Sequence, residues 1–180
     1  MKRAIFVDRD GILNAAVVRN GLPHPPASLT ELRFLPGVRE RLKELKELDM
    51  VVVCVTNQPD VARRTVSRAA VDEINERVCT EMPLDDLLVC FHDDVDNCAC
   101  RKPRAGLLLR AASQFGIDLG SSYMIGDRWK DIACGAVAGC TTVFVDYGYS
   151  ETYKGPEPTH TTNCAAGALD YVLSVERQRC

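Results

Sequence analysis

The sequence lacks an excess of basic charge. Its 22 Lys and Arg stand against 25 Asp and Glu, a formal charge of −3, which argues against a nucleic-acid partner, since nucleic acids demand a basic face. No apolar run approaches the roughly 18 residues of a membrane span. The start, MKRAIFVDRDG, has four apolar residues before Asp8, short of the about 7–15 of a signal-peptide core. There is no low-complexity tract, internal repeat or linker that would split the chain. Neither G-x-x-x-x-G-K-[ST] nor G-x-G-x-x-G occurs, so nucleotide binding by those routes is unsupported. A serine-hydrolase elbow, G-x-S-x-G, is missing too. The remainder is one domain of ordinary composition, 46% hydrophobic and 26% charged over 180 residues, long enough to bury a sizeable core.

Cysteine, by contrast, is abundant. There are nine, an odd count in a chain longer than most secreted disulfide scaffolds, which points to a reduced, cytoplasmic setting. Three of them fall with a histidine in Cys90-x-His92-x5-Cys98-x-Cys100. Three thiolates and an imidazole suit zinc, and four protein ligands close the tetrahedron, so the metal is expected to be structural. Cys54, Cys79, Cys134, Cys140, Cys164 and Cys180 are scattered through apolar segments and read as small buried hydrophobes.

Short apolar runs alternate with helical spacing along the chain. Ala4–Val7, Met50–Val55, Leu87–Phe91, Tyr123–Ile125 and Thr141–Val145 read as strands. They are continuous rather than alternating, as in a parallel sheet covered on both faces. Val38, Leu42, Leu45 and Leu48 recur at helical spacing, as do Val71, Ile74 and Val78 after a candidate N-cap at Ser67. Helices are also expected over Leu107–Phe115, Ile132–Ala138 and Cys164–Val175. The pattern predicts an α/β, three-layer Rossmann-like fold with a central, mostly parallel sheet. The exception is the long connection 12–35, where Asn20-Gly21 suggests a hairpin flap.

In such sheets ligands bind where strands end, and the exits here are polar. Asp8 and Asp10 follow the first strand and repel one another unless a cation or proton intervenes. Mg²⁺ bridges carboxylate to phosphate, and an Asp carboxylate can attack phosphorus; an Asx-rich turn is the plainer account. Asp127 and Asp131 leave another strand on one helical face, with Asp127 as an N-cap the alternative. Thr56 and Asn57 offer a hydroxyl and an amide to phosphate oxygens. Arg101 and Lys102, directly after the cysteine cluster, supply the positive charge that an anionic substrate needs. Cys98-x5-Arg104 formally fits the phosphate loop of thiol-dependent phosphatases, but it has no glycine and Pro103 removes an amide. His24 and His160 read as surface residues, Trp129 and Tyr123 as packing.

The ordered set DRDG, VTNQ, CRKP and GDRWKD resembles the four motifs of the haloacid dehalogenase superfamily of phosphotransferases. Within it, the Cys–His loop before RKP looks like the small-capped branch of heptose bisphosphate and histidinol-phosphate phosphatases. The resemblance implies a single phosphatase domain over residues 1–180, with no large cap domain. Its flap would span 12–35 and its zinc loop 90–100. It implies a monomer acting on a small phosphorylated metabolite, with no nucleic acid and no membrane involved. Asp8 would be the nucleophile and Asp10 the acid and then the base. Mg²⁺ would sit on Asp8, Asp127 and the Asp10 carbonyl, supported by Asp131. Thr56, Asn57, Arg101 and Lys102 would grip phosphate. D-glycero-D-manno-heptose 1,7-bisphosphate is the first expected substrate and histidinol phosphate the second. A catalytically idle, zinc-stapled binding protein is the alternative class. Pro59-Asp60 departs from the family's usual Ser-Gly, although Arg63 can fill the arginine position that follows. If zinc folds the loop that aims Arg101 and Lys102, stripping it should weaken substrate binding while leaving Asp8 in place. Unchanged affinity in a zinc-free, folded enzyme would refute this.

Overall fold

A computed structural model describes residues 1–179. Six strands, β1 (Ala4–Val7), β4 (Val51–Asn57), β5 (Asp86–Cys90), β6 (Tyr123–Gly126), β7 (Thr141–Val145) and β8 (His160–Thr162), form one sheet in the order β5-β4-β1-β6-β7-β8. Every pair in it is parallel. β2 (Val17–Arg19) and β3 (Leu22–His24) form a separate antiparallel hairpin. Its two-residue turn is Asn20-Gly21, both with positive φ, the type I′ geometry whose twist matches the flanking strands.

The continuous apolar runs are strands because both their faces are covered. Ile5, Val7, Val52, Cys54, Ile125 and Val143 share one core with α1 (Val38–Glu47), α2 (Arg68–Glu81) and α5 (Ala165–Arg179). Ala4, Phe6, Val53, Val55 and Met124 face the other core, built on α3 (Gly106–Phe115) and on Cys134 of α4 (Trp129–Ala138). This is a three-layer α/β sandwich, as the alternation predicts. Ser67 caps α2, accepting from the Ala70 amide at 3.1 Å. Only β8, three residues that are mostly polar, has no apolar run to betray it. The segment 12–35 is pinned at its ends: Ile12, Leu13 and Leu32 are buried in the core, and only the middle projects as the hairpin. Among the described residues no helix is long and apolar enough to cross a membrane.

Strand order sets the position of the site. β1 lies between β4 and β6: the chain builds outward from β1 through β4 to β5, then crosses back to β6 and builds outward on the other side. That reversal opens a crevice at the carboxyl ends, where ligands bind in such sheets.

One buried charge locks the far end of the sandwich. Glu176 of α5 is fully buried and accepts from the Tyr123 hydroxyl at 2.6 Å and Arg179 Nη1 at 2.9 Å. It also pairs with Arg3. Removing one partner of a buried pair strands the other, but here both arginines can turn to solvent. Glu176→Ala is expected to cost about 2 kcal/mol, read as a lower urea midpoint, with Glu176→Gln recovering part of it.

Candidate active site and metal-ligand clusters

Val7 of β1 pairs with Ile125 of β6, and the Asp8 amide donates to the Ile125 carbonyl at 3.0 Å. The residues that leave the two strands are therefore neighbours. Carboxylate oxygens of Asp8, Asp127 and Asp131 lie within 4.8 Å of one another, and all three residues are buried. Two glycines make room for them. A Cβ on Gly11, whose φ is +93°, would meet the Asp127 carboxylate at 2.0 Å. One on Gly126 would meet the Asp131 Cβ at 2.2 Å.

A single ammonium faces these carboxylates. Lys102 is 2% exposed, with Nζ 2.9 Å from Asp8 Oδ1 and 2.6 Å from Asp131 Oδ1. Its third proton goes to the Val55 carbonyl at 2.8 Å. Burial works against the charge on Lys102, but Asp131 and Asp8 outweigh it and hold the pKa above the usual lysine value. Three carboxylates against one cation leave a deficit of positive charge. Burial pushes Asp8 up to about 7 against the pull of Lys102, and Asp131 and Asp10 add to the rise. Asp127 is raised well above its ordinary value by burial and by Asp8 and Asp131. Neither of its oxygens has a donor within hydrogen-bond distance; the Tyr149 hydroxyl lies just near enough to offset part of the rise. A buried carboxylate without donors is costly, and Mg²⁺, which takes hard oxygen ligands, fits it. Capping does not account for Asp127: the N-cap of α4 is Arg128, whose amide donates to Asp131 Oδ2 at 3.0 Å.

Asp10 is fixed by donors that the sequence alone does not single out. Its carboxylate accepts from Arg9 Nε and Nη2 at 3.1 and 3.0 Å, from Asn14 Nδ2 at 3.0 Å and from Gln58 Nε2 at 2.8 Å. Arg9 is fully buried and donates onward to Asn75 Oδ1 of α2 at 2.7 Å. The one signal for this network was an arginine lodged between two aspartates at a buried strand exit.

Asn57 and Thr56 each have partners within the protein, and Asn57 also lines the cleft. Asn57 clamps the Lys102 peptide, donating to its carbonyl at 3.0 Å and accepting from its amide at 3.1 Å. Thr56 is buried, its hydroxyl accepting from Gln58 Nε2 at 3.0 Å. Arg101 Nε donates to Asp94 Oδ1 at 2.6 Å and Nη1 to the His92 carbonyl at 3.3 Å. Asp8, Asp10, Asn57, Arg101, Lys102 and Asp127 line one cleft of about 350 Å³. Arg63, Arg128, Lys130 and His24 of β3 share it, so His24 belongs to the cleft wall rather than the outer surface. His160 instead stacks on Tyr171, 4.1 Å between ring centroids.

The second cluster is Cys90, His92, Cys98 and Cys100. Cys100 Sγ lies 3.2 Å from Cys90 Sγ and 3.4 Å from both Cys98 Sγ and His92 Nδ1, and Cys90 Sγ is 3.6 Å from Cys98 Sγ. A tetrahedron with Zn–S bonds of about 2.3 Å has edges of about 3.8 Å, so the four ligands already converge as zinc requires. Arg104 is tied to the backbone of this loop, Nη1 donating to the Cys98 carbonyl at 2.6 Å. It is thereby taken from the role that a thiol-phosphatase loop would need. Of the remaining cysteines, Cys54, Cys134 and Cys140 are buried, but Cys79 and Cys164 are exposed. Both sit in segments with apolar neighbours, yet at positions that turn outward; Cys180 lies outside the described residues.

Residues 99–169 match the family described as HAD-hydrolase-like. The D-glycero-beta-D-manno-heptose-1,7-bisphosphate 7-phosphatase of Escherichia coli K12 is 33% identical over 184 residues, covering 95% of this chain and 88% of that one. The protein of the same name from Haemophilus influenzae is 32% identical, covering 96% and 92%. The chain belongs to the haloacid dehalogenase superfamily and is a phosphatase. Its fold is also that of a D,D-heptose 1,7-bisphosphate phosphatase from B. bronchiseptica, solved with magnesium and phosphate. The TM-score is 0.81, with 28% identity and 97% and 99% of the two chains covered. The acidic cluster and the cysteine cluster of this phosphatase are thus separate centres, one at the strand exits and one in the loop that leads to Arg101.

Asp127 tests the acidic centre without any turnover assay. Asp127→Asn removes the charge that burial, Asp8 and Asp131 disfavour, so it should stabilise the magnesium-free phosphatase by about 1–3 kcal/mol and abolish the rise in melting temperature on adding Mg²⁺. A variant that melts lower in the absence of Mg²⁺, or still responds to it, would contradict the assignment.

Proposed function

We propose that this phosphatase is a magnesium-dependent phosphomonoesterase acting on the 7-phosphate of D-glycero-D-manno-heptose 1,7-bisphosphate, with Asp8 as nucleophile. The observation that carries the proposal is the Asp8–Asp127–Asp131 cluster, deficient in positive charge and with Asp127 unpartnered, at the floor of the cleft. The substrate is supported by the names of its relatives in two genera.

The chemistry follows from the placement of the side chains. Lys102 turns one Asp8 oxygen inward and leaves the other free to attack phosphorus in line, giving an aspartyl-phosphate. Asp10, oriented by Arg9, Asn14 and Gln58, gives a proton to the leaving alcohol and then takes one from the water that cleaves the intermediate. When bound, Mg²⁺ on Asp8, Asp127 and the Asp10 carbonyl would neutralise charge on the phosphoryl oxygens, allowing an anion to approach an anion. Asp131 supports this site from behind, holding Lys102. Asn57 acts on phosphate through the Lys102 peptide it clamps, Thr56 through Gln58, and Arg101 borders the cleft itself. Zinc on the four loop ligands would keep that border rigid. The chain works as one domain and as a cytoplasmic monomer, with hairpin and zinc loop shaping access.

Turnover of p-nitrophenyl phosphate and of the heptose bisphosphate by the wild type and Asp8→Asn is the test. Loss of a nucleophile should cut kcat by at least about 10³-fold, and omitting Mg²⁺ should do the same to the wild type. Activity that survives Asp8→Asn removes the aspartyl-phosphate route. A preference for histidinol phosphate over the heptose ester removes the substrate assignment and keeps the mechanism.

A further inference from the structure

The cations at the cleft mouth are not free. Arg101, 8% exposed at its side chain, holds Asp94 Oδ1 at 2.6 Å. Lys130 of α4 reaches the same oxygen at 3.5 Å from the opposite wall. Asp94 opens the short turn Asp94–Asp96, between the ligands His92 and Cys98, and its side chain is 62% exposed. One carboxylate thus spans two cations that belong to different elements of the fold. Asp94, Arg101 and Lys130 all line the cleft that has Asp8 at its floor.

We infer that Asp94 is a specificity-determining residue that holds, between Arg101 and Lys130, the place taken on binding by a second anionic group of the substrate, remote from the reacting phosphoryl. The inference rests on the catalytic reading above, which puts the reacting phosphoryl at Asp8. The two ends of the bridge are built unequally. Arg101 stays in place when Asp94 leaves, because the His92 carbonyl at 3.3 Å and Asp93 Oδ1 at 3.7 Å also hold it. Asp94 has no such anchor and regains water when displaced, which keeps the cost of displacement small. A phosphate dianion brings more charge and more acceptor oxygens than the carboxylate, so it wins the pair of cations. An ester without a remote anion leaves the bridge closed and draws nothing from it. Asp94 therefore tempers the grip on doubly anionic esters and keeps the two cations apart, at a fixed span, when no substrate is bound.

The test is competition against p-nitrophenyl phosphate turnover in the zinc-loaded enzyme with Mg²⁺. The probes are fructose 1,6-bisphosphate and fructose 6-phosphate, which share a sugar and differ in the second phosphate. The ratio of their inhibition constants should favour the bisphosphate in the wild type. It should widen about two- to fivefold in Asp94→Asn and narrow by a similar factor in Lys130→Gln, the range expected for exposed ion pairs. A ratio that stays put in either variant, or narrows in Asp94→Asn, overturns the inference. Zinc content is measured alongside. Should Asp94→Asn shed zinc, Lys130→Gln on α4 decides alone, because it lies outside the loop. The readout does not depend on which ester is the natural substrate. A wild type that ignores the heptose bisphosphate sinks that assignment and leaves the ratio readable.

Discussion

Everything at the active end of this protein depends on the ion group formed by Lys102 with Asp8 and Asp131. Three carboxylates are buried together, which water would never allow without compensation, and one ammonium reaches two of them. The third, Asp127, has no donor within hydrogen-bond distance, and only the nearby Tyr149 hydroxyl and Arg128 ease its charge. A fold selected for stability alone would have answered it with a donor. The unanswered oxygen marks a position reserved for a cation, and the raised pKa of Asp8 is the same deficit seen from its neighbour. Stability given up at a functional site is a familiar trade. Here it is confined to a few atoms, while Gly11 and Gly126 provide the space.

The two metal centres divide the labour. The cysteine cluster has a closed ligand set and lies in the loop after β5, so what it offers the site is geometry rather than chemistry. Its influence passes through the chain: Arg101 and Lys102 follow directly on Cys100, and Asn57 of β4 takes hold of the Lys102 peptide from the other side. Lys102 is therefore positioned twice, once by the loop and once by the sheet. The loop also carries its own acidic residues, Asp93 and Asp94, into contact with Arg63, Arg101 and Lys130. The cleft mouth is consequently a lattice of opposed charges rather than a bare basic rim.

Local patterning carried the architecture well. β1 and β7 run over the same residues as the apolar stretches that announce them, and the Asn20-Gly21 turn is where its chemistry requires. β8 escaped because His160–Thr162 is a polar edge strand, held by its neighbour rather than by its own hydrophobicity. Cys79 and Cys164 were misjudged for a related reason: apolar neighbours in sequence do not tell which single side chain turns toward the core. The acidic exits and the zinc ligands were legible because chemistry that needs particular atoms leaves particular residues close in sequence.

The sequence by itself determined the class of the fold and drew attention to the acidic strand exits and the Cys–His loop, since these follow from composition and spacing along the chain. Only the tertiary structure decided who serves whom. Asn14 and Gln58 converge with Arg9 on Asp10, and Asn75 of α2 holds Arg9 from behind. Asn57 takes hold of the Lys102 peptide. Asp94 meets Lys130 across 35 intervening positions. Such partnerships are set by the parallel stacking of β4, β1 and β6, and distance along a chain carries no record of them.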